Sequence, residues 1–115
     1  MRRNWKTVQA VLEAVEQDKL ECKLENLQQE DEDEFYGHLI LCIEAGLVTG
    51  CTVEFNLKWR YGSTMPRLTM AGHDTLDALR SKTVWAAIKQ HADEAMIPIT
   101  VTLIQSVLSR LSAVL

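Results

Sequence analysis

Glu30-Asp31-Glu32-Asp33-Glu34 is the densest run of chemically capable side chains in this 115-residue chain. Carboxylates so close together could in principle ligate a hard cation. A calcium loop, however, needs acids at alternate positions around a glycine turn, and no D-x-D-x-D-G spacing occurs. The run therefore reads as a solvated or interacting face, with no metal or other cofactor expected. His38, His73 and His91 fall on three different predicted helices, and there is no HExxH, GxSxG or glycine-rich phosphate loop. His73, directly after Gly72 at a helix start, reads as a structural hydrogen-bonder rather than a base. The cysteines, Cys22, Cys42 and Cys51, are odd in number and lack CxxC spacing, so neither a disulfide framework nor a zinc ribbon is indicated. Cys42 and Cys51 fit best as small buried hydrophobes. No constellation for chemistry emerges, so neither an enzyme nor a small-molecule substrate is expected.

The elements that carry these residues are built from a chain with 47% hydrophobic residues and a net charge of -4, enough apolar material for a modest core. No apolar run approaches the ~20 residues that span a bilayer. Asn4 to Glu16 is amphipathic, with Glu13 and Glu16 in it, unlike the uninterrupted apolar stretch of a signal peptide. A soluble, cytoplasmic protein without a membrane partner is expected.

Asn4 can cap a first helix whose apolar positions Trp5, Val8, Val11, Leu12 and Val15 recur at helical spacing and which should end near Asp18. Lys19 to Glu30 stays open: Leu20, Cys22 and Leu24 alternate as in a strand, whereas Leu20, Leu24 and Leu27 suit a helix. Asp31 and Glu34 fit the N-cap and N3 positions of the next helix, which buries Phe35, Leu39, Cys42 and Ile43. Gly46 fits a left-handed C′ position, with Leu47 closing a Schellman-type end. Cys51, Val53, Phe55 and Leu57 then alternate with polar residues, as in a half-buried strand. Tyr61-Gly62-Ser63 gives a turn signal, Arg67-Leu68-Thr69 a short returning strand, and Thr69 a cap for a helix carrying His73, Leu76 and Leu79. Thr83 can cap a further helix with Val84, Trp85, Ile88 and Ala92 inward, ending before Pro98. Helix, glycine stop, hairpin and helix in that order predict an α+β winged helix with a two-stranded wing, residues 1–82, and a helical C-terminal extension, residues 83–115.

In that extension Val101, Ile104, Leu108, Leu111 and Leu115 are spaced as a heptad seam, widened by Leu103, Val107 and Val114. Two apolar stripes call for two partners, and the simplest second partner is another copy of the chain. A homodimer is expected along this seam.

The opening MRRNW, the HLxxxxEAGLVxG element at His38 to Gly50, the RLTMAGHDTLDALR element at Arg67 to Arg80 and the TVWAAIK stretch after it resemble a family of small uncharacterised proteins of bacteria and their phages, a domain-of-unknown-function family. The His38-to-Val48 element is also similar to the junction between recognition helix and wing in winged-helix repressors. The resemblance implies a fold and a phage or prophage setting, and carries no catalytic residue or ligand.

DNA binding draws on basic side chains meeting phosphates, with the recognition helix entering the major groove near its N-terminal end. Here that end is the run Glu30, Asp31, Glu32, Asp33 and Glu34, and Glu21 to Glu44 holds eight acids against Lys23 alone. Arg2, Arg3 and Lys6, together with Lys58, Arg60 and Arg67 on the wing, stand on the other side, with Trp59 and Tyr61 interleaved. The expectation is an accessory protein that binds a host or mobile-element protein through the acidic face and modulates a nucleic-acid-binding partner. The alternative is a transcriptional regulator that binds DNA through the wing and the N-terminus.

Overall fold

The computed structural model describes residues 3–114. Among them are six helices and one two-stranded antiparallel sheet: α1 (Trp5–Glu16), α2 (Leu20–Glu25), α3 (Gln29–Glu44), β1 (Val48–Asn56), β2 (Lys58–Leu68), α4 (Met70–Arg80), α5 (Lys82–Ala95) and α6 (Val101–Val114). The expected α+β class is what the chain adopts. It divides between His73 and Asp74 into two compact units.

In the first unit the Asn4 side chain accepts from the Lys6 amide at 3.0 Å, capping α1, whose Val8, Val11, Leu12 and Val15 are buried as their spacing requires. Lys19 to Glu30 resolves largely as helix. Leu20 and Leu24 are buried while Cys22 is exposed, so the four-residue period prevails over the strand alternation. Helix α3 starts earlier than the capping pattern at Asp31 and Glu34 indicates. Its boundary residue is Gln28, extended and making no side-chain cap, and Asp31 and Glu34 lie inside the helix. Glu30, Asp31 and Glu32 occupy the first turn, where the positive end of the helix dipole favours carboxylates and makes a capping side chain dispensable.

The end of α3 follows the sequence reading. Gly46 sits at φ +75°, its amide donates to Ile43 at 3.1 Å and the Leu47 amide donates to Cys42 at 2.8 Å, the bond pair of a Schellman end. Thr69 then ties the start of α4 to this corner. Its amide donates to the Leu47 carbonyl at 3.0 Å, its hydroxyl donates to the Gly46 carbonyl, and the Gly72 amide donates to that hydroxyl at 3.1 Å. A Cβ at Gly72 would lie 2.1 Å from the Leu47 carbonyl oxygen, so only glycine admits this approach. Two of the stretches that carry the family resemblance, His38 to Gly50 and Arg67 to Arg80, thus meet backbone to backbone.

The hairpin differs from expectation in four ways. The chain reverses at Leu57, at φ 68°, between the partnered residues Asn56 and Lys58. Tyr61-Gly62-Ser63 is not a turn but lies within β2, opposite Val53, Thr52 and Cys51, because β2 continues all the way to Leu68. The ladder is interrupted once, between Thr49 and Cys51. There Gly50 stands against the extra residues Thr64, Met65 and Pro66, and a Cβ on it would fall 1.8 Å from the Met65 carbonyl oxygen. Burial also stops short of the tip: Val48 and Cys51 are buried, whereas Phe55 is 60% and Leu57 97% exposed. The alternation correctly assigned Cys51, Val53 and Phe55 to one face, but that face outruns the body that would cover it.

In the second unit Ser81, not Thr83, caps α5: its hydroxyl accepts from the Val84 amide at 3.2 Å, placing Thr83 inside the helix. Ile88 and Ala92 are buried, and the helix closes at Met96 in the left-handed region with the Ile97 amide donating to Ala92 at 3.0 Å. The Thr100 hydroxyl accepts from the Leu103 amide at 3.1 Å at the start of α6, which packs on α5 and buries Leu103, Ile104 and Val107. Among the described residues no helix is long and apolar enough to cross a membrane.

Candidate interaction surface

Successive residues of an α-helix diverge by about 100°, so five consecutive acids cannot share one face. Glu34 points toward α1, where its carboxylate accepts from the Thr7 hydroxyl at 3.1 Å and the Asn4 side-chain amide at 3.2 Å. Asp31, one turn earlier, lines a cleft of about 230 Å³ with Lys6, Thr7 and Ala10 of α1, Lys23, Leu27, Glu34 and Phe35. Asp33 turns the other way, accepting the indole N–H of Trp59 from β2 at 2.9 Å. Glu32 lies by Tyr36, whose phenol is pushed up by burial and by the neighbouring Glu32 charge. Glu30 is exposed, one turn before Asp33. The expected acidic face is therefore divided, with Asp31 and Glu34 toward α1, Glu32 and Asp33 nearer the hairpin, and Glu30 exposed between the two groups. Among the described residues no three His, Cys, Asp or Glu side chains converge as metal ligands would.

Trp59 is the centre of the second group. It stacks on Tyr36 with centroids 5.2 Å apart and planes within 3°, and meets Phe55 at 4.9 Å with a 54° tilt. These contacts dock the distal hairpin on the first turns of α3. Cross-strand pairing places Trp59 and Tyr61 on this inner face, opposite Phe55 and Val53, and leaves Lys58 and Arg60 exposed on the outer face, opposite Asn56 and Glu54.

The predicted basic set is not brought together. Lys58 and Arg60 neighbour each other near the tip, while Arg67 lies opposite Thr49 beyond the bulge. Lys6 lines the cleft beside two carboxylates, and the Arg3 guanidinium lies 5.0 Å from the centre of the Trp5 ring. Arg2 lies outside the described residues. The expected dimer seam is also partly consumed. Ile104 is fully buried within its own chain, because the second helical unit uses that position for its core, so it cannot face a partner. Val101 and Leu108 are half-buried, Leu111 is 36% exposed, and Leu115 lies outside the described residues.

One polar residue that sequence reasoning passed over is structural. His38, completely buried, accepts the Asn4 amide on Nε2 at 2.8 Å and donates from Nδ1 to the Glu34 carbonyl at 2.7 Å. Accepting a backbone N–H requires an unprotonated Nε2, so this is a neutral imidazole with its proton on Nδ1. It ties the start of α1 to α3. His73, the histidine singled out from sequence, has an exposed side chain. The signals for His38 in the sequence are its place on the buried stripe, one residue before Leu39, and at the head of the HLxxxxEAGLVxG element.

Fold and surface define a small α+β domain in which a helix, a hairpin and a second helix are locked at a glycine-rich corner and the hairpin carries an exposed tip. Residues 2–98 match a family described as hypothetical protein (DUF2513), and the chain belongs to that family. No curated protein and no solved structure matches.

Proposed function

We propose that this protein is a non-catalytic, winged-helix-type module of phage or prophage origin that acts in the cytoplasm by gripping another protein through the acidic start of α3. Residues 1–82 form the winged-helix part and residues 83–115 its helical extension. The observation that carries this reading is the Trp59 to Asp33 bond, which holds the tip of the hairpin against the acids. In a DNA-binding winged helix this side, recognition-helix start plus wing, would face the duplex. Here it presents Glu30, Glu32 and Asp33, which repel phosphates and attract a basic protein surface. A partner that itself binds nucleic acid has such a surface, and covering it would modulate that protein. Self-association belongs to the same reading; among the described residues of the expected α6 seam, Val101, Leu108 and Leu111 lie outside the chain's own core.

The second reading is a DNA-binding regulator, favoured by the exposed Lys58 and Arg60 on the outer hairpin face and supplemented by Arg67, Lys6, Arg3 and Arg2. A single variant separates the two. Changing Glu30, Asp31 and Glu32 to their amides leaves the bonds of Asp33 and Glu34 in place. If the acids are the working surface, retention of the variant on a column of immobilised basic protein falls, and the difference shrinks as salt rises. If the chain grips DNA, retention on a duplex column rises with the same change and falls when Lys58 and Arg60 become Ala.

A further inference from the structure

The least expected residue of the first unit is Leu57. It sits at the hairpin apex in the left-handed region, at φ 68°, with its side chain 97% exposed, and Phe55 beside it is 60% exposed. A leucine in this conformation is strained as well as wetted. Asn or Gly would relieve both costs at a reversal of this kind. An exposed apolar apex carrying that double cost marks a contact surface.

Charge around the apex says what covers it. On the outer face Lys58 and Arg60 stand against a single acid, Glu54 opposite Arg60, so this side is net positive. On the inner side, held there by Trp59 on Asp33, are Asp33 itself and Glu32, with Glu30 exposed at the helix start one turn before Asp33 and Glu34. Phosphates or an anionic bilayer would meet the bases but be repelled by these acids, so the partner that covers the apex brings its own bases to the acids and its own acids to Lys58 and Arg60. A patch with a positive flank, an apolar centre and a negative flank is complementary to itself when rotated by 180°. Each copy's bases then meet the other's acids, with the two apices packed between them, as a two-fold interface demands.

We infer that a second copy of this chain docks on the hairpin tip, pairing Phe55 and Leu57 about a two-fold axis and setting Lys58 and Arg60 of each copy against Glu30 and Glu32 of the other. This deepens the proposed function by naming a partner for the same surface. It also places self-association on the hairpin rather than on α6, whose seam has given Ile104 to its own core.

Sedimentation equilibrium of the full chain tests this. The wild type shows a concentration-dependent shift from one chain mass to two, weakened by salt. Lys58→Glu with Arg60→Glu makes both flanks acidic, Glu30→Lys with Glu32→Lys makes both basic, and each double variant alone stays at one chain mass. An equimolar mixture of the two returns to two chain masses, since each supplies the flank the other lacks. That recovery also shows that both variants are folded. Leu57→Asp abolishes the shift, whereas Leu108→Glu with Leu111→Glu leaves it. A wild type that remains one chain mass at high micromolar concentration overturns the inference, as do double variants that dimerise alone, a mixture that does not recover, or a shift lost only with the α6 variant. A wild type that stays at one chain mass yet is retained by immobilised basic protein fails this inference alone, so failure here and failure of the protein-binding reading are distinguishable.

Discussion

The indole N–H of Trp59 donates to the Asp33 carboxylate at 2.9 Å across 26 positions of sequence, while its ring lies flat on Tyr36, one turn along the same helix. An isolated two-stranded hairpin is marginal in water. This clamp supplies the helix packing that the distal half of the ribbon needs, and it sets the acids beside the apolar apex.

Trp59→Phe keeps a stacking ring but removes the bond. It should lower stability by about 1 kcal/mol, the usual net worth of a hydrogen bond. Trp59→Ala removes both and should in addition raise exchange of the ladder-bonded amides between residues 53 and 61 toward the rate of an unprotected chain. Denaturant midpoints and exchange by NMR measure the two effects, and unchanged exchange in Trp59→Ala would show that the hairpin holds its position unaided.

Gly72 and Gly46 are required for different reasons. A methyl at Gly72 runs into the Leu47 carbonyl, whereas nothing lies within 4 Å of a Cβ at Gly46, where only the backbone at φ +75° is strained. Gly46→Ala should therefore cost about 1 kcal/mol. Gly72→Ala should cost about 3 kcal/mol or more, because the corner must separate to admit it. Urea unfolding of the pair checks the order, and a larger loss at Gly46 would show the corner to be pliant.

His38→Leu retains an apolar volume but removes the acceptor of the Asn4 amide, while the Glu34 carbonyl keeps its helical bond from the residue-38 amide and loses only its second donor. One part-buried amide left unpaired places the loss at about 1–3 kcal/mol. The Asn4 amide should lose its exchange protection before the rest of α1 does, which NMR of the variant can follow.

The thiols should react in a fixed order. Cys22 is exposed, while Cys42 and Cys51 are buried, and burial pushes the Cys42 thiol up to about 12. A maleimide at neutral pH should label Cys22 first and the other two only as the chain opens. The folded thiol ionises later than the unfolded one. The stability held by neutral Cys42 is thus complete below the unfolded value of 9.0 and is lost as pH rises from there toward about 12. Cys42→Ala should flatten that alkaline decline, as denaturant midpoints between neutral and alkaline pH will report.

Local chemistry determined much of this protein from its sequence. Asn4 caps, Gly46 stops and Thr69 starts their helices through bonds to residues within a few positions, and the α1 stripe is buried because helical period alone puts it on one side. Lys19 to Glu30 could not be decided locally, because three leucines fit two periods, and burial of Leu20 and Leu24 chose the helix. The hairpin reversal went to Leu57 rather than to the glycine at 62, because cross-strand register over eight residue pairs outweighs one residue's turn preference. The acids read as one face only while their helix had no orientation. Once α1 claimed Glu34 and the hairpin claimed Asp33, the run was divided, since which side of a helix meets which neighbour depends on contacts some thirty residues apart in sequence. The exposed apex was invisible for the same reason: alternation tells which face a residue occupies, and only the packed body tells where that face runs out of cover.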